Sequence, residues 1–326
     1  MSLDRLAGAL STTARIGLGL AAVGRPGYLN LGRDRDLPAD RTVDVLRART
    51  HELLDAAHAA GVRYVDTARS YGLAEEFLAE WLRARPEAAD TAVGSKWGYT
   101  YTAGWAVDAE VHEVKDHTPG TFDRQTAETG QLLGDRLDLY QIHSLTPESP
   151  ALTDRALHER LAALGERGIA IGFSTSGPRQ ADTIRAALDV EVEGRPLFAA
   201  VQSTFNLLET SAGPALSEAH RAGLLVVVKE ALANGRLAGP AAPTALRRVA
   251  EQAGTGCDAV ALAAVLREPW VSVVLSGAAT TAQLSSNLRA AELTGSADDE
   301  KRTASLGGLT EQPSAYWRHR ATLPWH

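Results

Sequence analysis

Residues 157–173 read LHERLAALGERGIAIGF. Leu157, Leu161 and Leu164 recur at helical spacing, Gly168 supplies a stop, and residues 170–173 form a short apolar run. The stretch therefore reads as a helix that turns directly into a buried strand. The same unit extends in both directions. Upstream lie candidate strands at 16–20, 63–65, 91–94 and 137–142, and downstream at 199–202, 225–228 and 272–275. Between them, residues 42–60 place Leu46, Leu53, Leu54 and Ala57 on one face before Gly61. Phe77, Leu78, Trp81 and Leu82 mark the next helix, and Leu132 and Leu133 precede Gly134. Ile184 and Leu188 mark another, residues 216–222 precede Gly223, residues 260–266 end before Pro269, and residues 284–293 follow the last strand. Eight strand–helix units with no intervening linker predict an α/β chain closed into a (β/α)8 TIM barrel, one domain spanning residues 1–326. No residue-level repeat or low-complexity segment interrupts it.

Two stretches fall outside the repeat, residues 97–121 and 307–326. Unstructured loops of this length are usually functional, and a barrel carries its chemistry on the loops that follow its strands. The first is such a loop, with Trp97, Tyr99, Tyr101 and Trp105 as a candidate aromatic wall. The tail, with Tyr316, Trp317 and Trp325, is expected to fold over the same barrel mouth, Tyr316 and Trp317 as a second candidate wall.

Composition narrows the function classes. The chain has 326 residues, 44 % of them apolar and 22 % charged, with a net charge of −7. Such a balance suits a soluble protein and offers no surface for nucleic acid. Cys257 stands alone, so neither an internal disulfide nor a thiolate metal site is expected. No run approaches the length of a membrane span, and residues 1–15 lack the pattern of a secretory signal, so a cytoplasmic protein is expected.

Three apparent motifs dissolve on inspection. Gly17, Gly19 and Ala22 match G-x-G-x-x-A, but Gly24, Pro26 and Gly27 follow where the dinucleotide fingerprint needs a helix. His51 and Glu52 begin the zincin pattern, yet position 55 is Asp. His51 and His58 then read as surface histidines of an outer helix. Glu75 and Glu76 sit in a first helical turn, where acids complement the helix dipole.

Four ionisable residues fall at or just after three successive strand ends: Asp66, Tyr71, Lys96 and His143. Reducing a carbonyl takes a hydride at carbon and a proton at oxygen. Tyr71 can supply the proton if its phenol, ordinarily of pKa about 10, is made more acidic by an ammonium at Lys96. Asp66 would hold Lys96 charged, and His143 would orient the carbonyl oxygen. Alone, each residue has a structural reading as cap, packing group or core ion pair. Together on one rim they form a catalytic set.

Asp-Thr-Ala-x-x-Tyr-Gly at 66–72, Lys96 after an apolar strand, and Asp-Leu-Tyr-Gln-Ile-His at 138–143 resemble the signatures of the aldo-keto reductase family. The resemblance covers roughly residues 15–293. It implies the barrel fold reached above, Tyr71 as general acid/base supported by Asp66, Lys96 and His143, and a nicotinamide dinucleotide, NADP or NAD, lying across the barrel mouth. Its contacts would begin with Gly19 and Leu20 after the first strand. Ser174, Thr175 and Gln202 would meet the carboxamide, Thr175 standing where the family usually has Asn. Asn206 lies just beyond. The stretch of Lys229, Glu230, Ala231, Leu232, Asn234 and Gly235 would supply the backbone that cradles the pyrophosphate; Lys229, near where the family often has an aromatic stacked on the nicotinamide, would lie by the nicotinamide or substrate, or pair with Glu230. Ser276, Gly277, Ala278, Thr281, Gln283 and Asn287 would hold the adenosine half at a helix start. The family's NADP-preferring members have Lys or Arg there. Gly277, Ala279 and Gln283 lack charge, which implies weakened 2′-phosphate recognition, with Arg289 the nearest compensating cation. The substrate class implied is a small carbonyl or alcohol: aldehyde, ketone or sugar. Two other readings stay open: a redox-sensing, cofactor-binding regulatory subunit with little turnover, and a barrel enzyme using Lys96 as a Schiff-base amine. The sequence does not set the oligomeric state.

Overall fold

The computed structural model describes residues 5, 6, 8, 15–31, 36, 37, 39–294 and 306–325. Part of the 1–15 stretch and His326 of the tail lie outside them. Eight parallel strands close a barrel: β1 (Ile16–Gly19), β2 (Tyr64–Asp66), β3 (Ala92–Trp97), β4 (Leu139–Leu145), β5 (Ala170–Thr175), β6 (Ala200–Thr204), β7 (Leu225–Lys229) and β8 (Val273–Ser276). Each strand pairs with its sequence neighbours, and β8 pairs with β1. The helices are α1 (Val43–Ala59), α2 (Ala74–Ala84), α3 (Pro119–Leu133), α4 (Arg155–Glu166), α5 (Gln180–Leu188), α6 (Gly213–Arg221), α7 (Thr244–Gln252), α8 (Cys257–Leu266), α9 (Thr281–Leu288), α10 (Ala290–Leu293) and α11 (Pro313–Ala321).

The expected helix stops act as stops: Gly61, Gly168 and Gly223 each follow a helix with φ of 87°, 90° and 92°, a left-handed turn that a side chain resists. Thr42 caps α1 by accepting from Val45 N, and Asp154 caps α4 by accepting from Leu157 N at 3.1 Å. The largest core packs Leu46, Leu53, Phe77, Trp81, Leu161 and Ile184 from the helices against outward-facing strand residues such as Val65, Ile142 and Val201. Among the described residues no helix is long and apolar enough to cross a membrane.

Inside the barrel, Tyr64, Ala92, Leu139, Ala170, Ala200, Val227 and Val273, each from a different strand, pack into one cluster. Tyr64 is the large member, and two glycines make room for it. A Cβ at Gly17 would lie 2.8 Å from the Tyr64 ring, and one at Gly94 would lie 2.3 Å from its hydroxyl. Gly17 thus answers to barrel packing, in keeping with the loop that replaces a helix after β1.

Several expectations are corrected. Strands three and four run past their expected ends at 94 and 142, so Lys96 and His143 lie within β3 and β4. Parallel pairing continues up to the rim: Lys96 is opposite Gln141, and Ile142 is opposite Phe173. The 97–121 stretch is not structureless, because Tyr99–Tyr101 and Glu113–Lys115 pair as an antiparallel hairpin. Helix α7 was not legible. Glu75 is more than a dipole partner: it is 1 % exposed, ion-paired to Arg69 at 2.6 Å and hydrogen-bonded by Ser95 and Thr129, tying α2 to β3 and α3. His51 is half-buried on the carbonyl of Phe77 at 2.9 Å.

Candidate active site

The register of the strands sets the depth of each functional side chain. Asp66 is opposite Gly94 across β2 and β3, Lys96 stands two residues nearer the rim, and His143 two beyond its neighbour Gln141. Their side chains converge below a cavity of about 760 Å³ at the C-terminal ends of the strands, lined by Asp66, Tyr71, His143 and Gln202 among others. This is the size and place of a barrel's ligand site.

Asp66 is the anchor. One carboxylate oxygen accepts from Lys96 Nζ, and the other accepts from Gln202 Nε2 at 2.8 Å and Gln141 Nε2 at 3.5 Å. Lys96, fully buried, also donates to the Thr67 carbonyl at 2.9 Å, so two of its three protons are directed away from the cavity. Its nitrogen lies 5.0 Å from the centre of the Tyr71 ring. Tyr71 and His143 meet edge to face with centroids 5.6 Å apart. Burial pulls the Lys96 ammonium below the usual lysine range, while Asp66 works against that pull.

The phenol departs from the acidified group expected. Burial first, and the Asp66 charge second, push Tyr71 well above the ordinary tyrosine pKa, and Arg25 pulls only partly back. Tyr71 is thus held protonated at neutral pH. Burial, followed by the charges of Lys96 and Lys229, pushes the His143 imidazole far below its usual range, so the ring is neutral. Its Nδ1 is buried with no hydrogen-bond partner within the described residues, as is Gln141 Oε1. Unsatisfied buried polar atoms are costly, and here they cluster beside the cavity.

The backbone under His143 is strained. Ser144 adopts a φ of 56° where the pairing of β4 with β5 shifts register between Ile142 and Leu145. Three side chains hold this bulge. Ser174 Oγ accepts from Ser144 N at 2.8 Å, Lys115 donates to the Ser144 carbonyl at 2.7 Å, and His117 Nε2 donates to the His143 carbonyl at 2.8 Å. Lys115 ends the second strand of the hairpin, His117 follows it, and neither carries a motif in the sequence.

The remaining predicted residues divide into two groups. Gly19, Gln202, Lys229, Glu230, Ala231, Leu232, Asn234, Gly235, Ser276, Gly277, Ala278, Gln283 and Asn287 all line the cavity. Leu20, Ser174, Thr175 and Thr281 do not. The Thr175 hydroxyl is engaged by Ser203 at 2.8 Å and Gln180 at 3.2 Å, and Ser174 by the bulge. At the far end Asn287 donates to Ser276 Oγ at 2.9 Å, and Gln283 accepts from Ala279 N at 2.9 Å, while Gly277 faces open space. Residues 29–31 arch over the cavity, stitched by Asn234 Nδ2 to the Leu29 carbonyl at 2.9 Å and by Leu31 N to the Asn234 carbonyl at 3.0 Å.

The tail reaches the mouth as expected, but of its three aromatics through Trp325 and not through Tyr316 and Trp317. Tyr316 and Trp317 are buried in a second core with Leu208, Leu237 and Leu246, whereas Arg320, Leu323 and Trp325 line the cavity. Trp325 stacks on His112 of the hairpin at 4.1 Å. The other expected wall is likewise rearranged: Trp97 is fully buried against Phe122 and His117, Trp105 packs on Phe77, and Tyr99 alone reaches His143, at 4.9 Å. In their place Tyr28 and Trp325 flank Tyr71 around Arg25, whose guanidinium is 5.2 Å from the Tyr71 ring and pairs with Glu113 at 2.9 Å. Arg25, Tyr28, Glu113 and Arg320 were not legible in the sequence. Each sits in a loop or tail with no spacing rule to flag it.

The aldo/keto reductase family model matches residues 15–307. The chain belongs to the aldo-keto reductase family. A curated relative, aldo-keto reductase str7 of Strobilurus tenacellus, is 27 % identical over 192 residues, 58 % of this chain and 52 % of that protein. The match thus spans about half of that relative. Among solved structures, the holo form of aldo-keto reductase AKR11C1 from Bacillus halodurans superposes with a TM-score of 0.69 at 21 % identity, covering 91 % of this chain and 92 % of its own. PA4992 of Pseudomonas aeruginosa, assigned to the same family, gives 0.61 at 23 % identity over 85 % and 90 %. These structural likenesses carry the barrel fold. Within the aldo-keto reductase barrel of this chain, the bidentate pairing of Glu230 with Arg320 joins the loop after β7 to the tail, and it holds the Glu230 carboxyl at about 2.

Proposed function

We propose that this aldo-keto reductase family member moves hydride between a nicotinamide dinucleotide and a small aldehyde, ketone or sugar, with Tyr71 as the proton donor. The observation that carries the reading is the convergence of Tyr71, His143 and the Lys96–Asp66 pair on one cavity. The residues along that cavity suit a dinucleotide. They supply open space at Gly277, the helix start at Thr281 close by, and the side-chain amides of Gln283 and Asn287 along that helix. When bound, the dinucleotide supplies the hydride.

The chain's own groups handle the oxygen. Neutral His143 donates a hydrogen bond to the carbonyl oxygen and fixes its direction. Tyr71, kept protonated by burial and by Asp66, transfers its proton to that oxygen as negative charge develops there. The phenolate left behind is stabilised by the Lys96 ammonium, which Asp66 holds in place. A phenol of raised pKa is a reluctant donor to water but a competent one to an alkoxide, so the proton moves only when the hydride does. In the reverse direction the same groups deprotonate an alcohol.

Of the two forms of the cofactor, we assign NADH over NADPH. Among the described residues no lysine or arginine lines the end formed by Gln283 and Asn287, and Asp258 lines the cavity beside that helix. Arg289 is directed to the Gly254 carbonyl at 3.1 Å and does not line the cavity. A 2′-phosphate would lose charge-assisted contacts worth about twice a neutral hydrogen bond. Fluorescence titration with NADH and NADPH, followed by turnover on a panel of aldehydes and ketones, tests the reading. Tight binding of NADH with measurable carbonyl reduction supports it. Binding of neither dinucleotide contradicts it, and a hundredfold preference for NADPH contradicts the cofactor assignment.

A further inference from the structure

Lys229 lines the cavity and takes no part in the proton transfer. Lys229 ends β7 opposite Thr204 of β6, and its nitrogen donates to the Thr204 hydroxyl at 2.9 Å. Its nearest carboxylate, Glu230, forms an ion pair with it at 3.6 Å, and Lys229 shares that carboxylate with the bidentate guanidinium of Arg320. The other cations around the reacting end have closer partners: Lys96 sits on Asp66 and Arg25 on Glu113. Among the described residues, Asp66 is thus matched with Lys96 and Glu113 with Arg25, whereas Lys229 and Arg320 have one carboxylate, Glu230, between them. The Lys229 ammonium lies close enough to His143 and Lys96 for its charge to act on both.

We propose that Lys229 makes this site favour the reduced dinucleotide over the oxidised one, and so biases the protein toward carbonyl reduction. The inference rests on the function proposed above. Hydride transfer requires the nicotinamide ring within about 3.5 Å of a carbonyl held at Tyr71 and His143. The ring therefore sits at the end of the cavity where Lys229 stands. The oxidised ring carries a positive charge and the reduced ring none. A part-buried ammonium lining that space repels the first and leaves the second unaffected. At an effective dielectric of about 20, one extra charge a few ångströms away is worth a factor on the order of ten or more in the ratio of the two affinities. Contacts to the phosphates, riboses and adenine are common to both forms and cancel in the ratio.

The experiment measures dissociation constants for NADH and NAD+ by fluorescence quenching and calorimetry, without turnover, in wild-type protein, Lys229→Met, Lys229→Arg and Glu230→Gln. Wild-type protein is expected to bind NADH at least tenfold more tightly than NAD+. Lys229→Met should reduce that ratio about tenfold, mainly through tighter NAD+ binding, and Lys229→Arg should keep it. Glu230→Gln adds net positive charge and should raise the ratio, which provides a test of opposite sign if Lys229→Met does not fold. An unchanged ratio in Lys229→Met, equal weakening of both forms, or a ratio that fails to rise in Glu230→Gln overturns the inference. If wild-type protein binds neither dinucleotide, the proposed function falls together with it. If both bind and the ratio ignores these charges, only the role of Lys229 falls.

Discussion

The imidazole of His117 donates from Nε2 to the main-chain carbonyl of His143 across 2.8 Å, and its other nitrogen meets the Ser149 hydroxyl. A histidine from the loop after β3 thereby holds the backbone of a histidine in β4, at the point where Ser144 takes a left-handed turn. Removing the brace should loosen His143 without touching the substrate. His117→Phe is expected to lower kcat roughly tenfold with little change in KM, since a small displacement of an orienting group costs rate before affinity. Steady-state kinetics on the variant, with dinucleotide binding as a control, checks this.

The same residue makes stability depend on pH. Burial holds His117 down to about 4, against an ordinary value of 6.5. Because the folded-state pKa is depressed, the unfolded chain binds the extra proton first. The contribution is present above about pH 6.5 and is lost as pH falls toward 4. A shift of that size corresponds to about 3 kcal/mol as an order of magnitude. His143, pushed down in the same direction, adds to the slope. Urea unfolding between pH 7 and pH 4 should show the loss, and His117→Phe should flatten the curve while lowering its plateau.

Trp325 closes the cavity against Tyr28 and His112. Trp325→Ala should raise KM for the carbonyl about tenfold, as expected from losing stacking and a cation–π contact with Arg25, and should leave NADH affinity within about threefold. Parallel measurement of substrate KM and NADH dissociation separates the two effects.

Gln283 lines the adenosine end and accepts from Ala279 N at 2.9 Å. Gln283→Arg offers a guanidinium to a 2′-phosphate, and should improve NADPH affinity by roughly tenfold while changing NADH affinity little. Paired titrations check the direction. No gain for NADPH would place the 2′ position elsewhere.

The barrel was legible because its signal is repeated. Leu157, Leu161 and Leu164 before Gly168, and the like around Leu46 and Phe77, announce one unit after another, so the error at any single strand end does not change the closure. The ends themselves were missed at β3 and β4, since Lys96 and His143 are polar and break the apolar run although their backbones remain paired. The four groups at the reacting end were legible because three of them sit on strands whose order fixes their neighbours. Arg25, Glu113, His117 and Arg320 were not, because they reach the site from loops and the tail, where sequence spacing says nothing about distance. The sign of the change at Tyr71 was misjudged for a related reason. A nearby ammonium is readable from a motif, whereas the depth of burial that outweighs it is a property of the folded rim.

The central claim is that the Tyr71 hydroxyl gives the proton, and Tyr71→Phe tests it most directly. The substitution removes one oxygen and keeps the ring against His143 and Arg25. Reduction of an aldehyde by NADH should fall by a factor of about a thousand or more, on the scale typical of losing a positioned general acid, while NADH still binds with unchanged affinity. A variant that binds NADH and reduces the aldehyde at the wild-type rate would contradict the account.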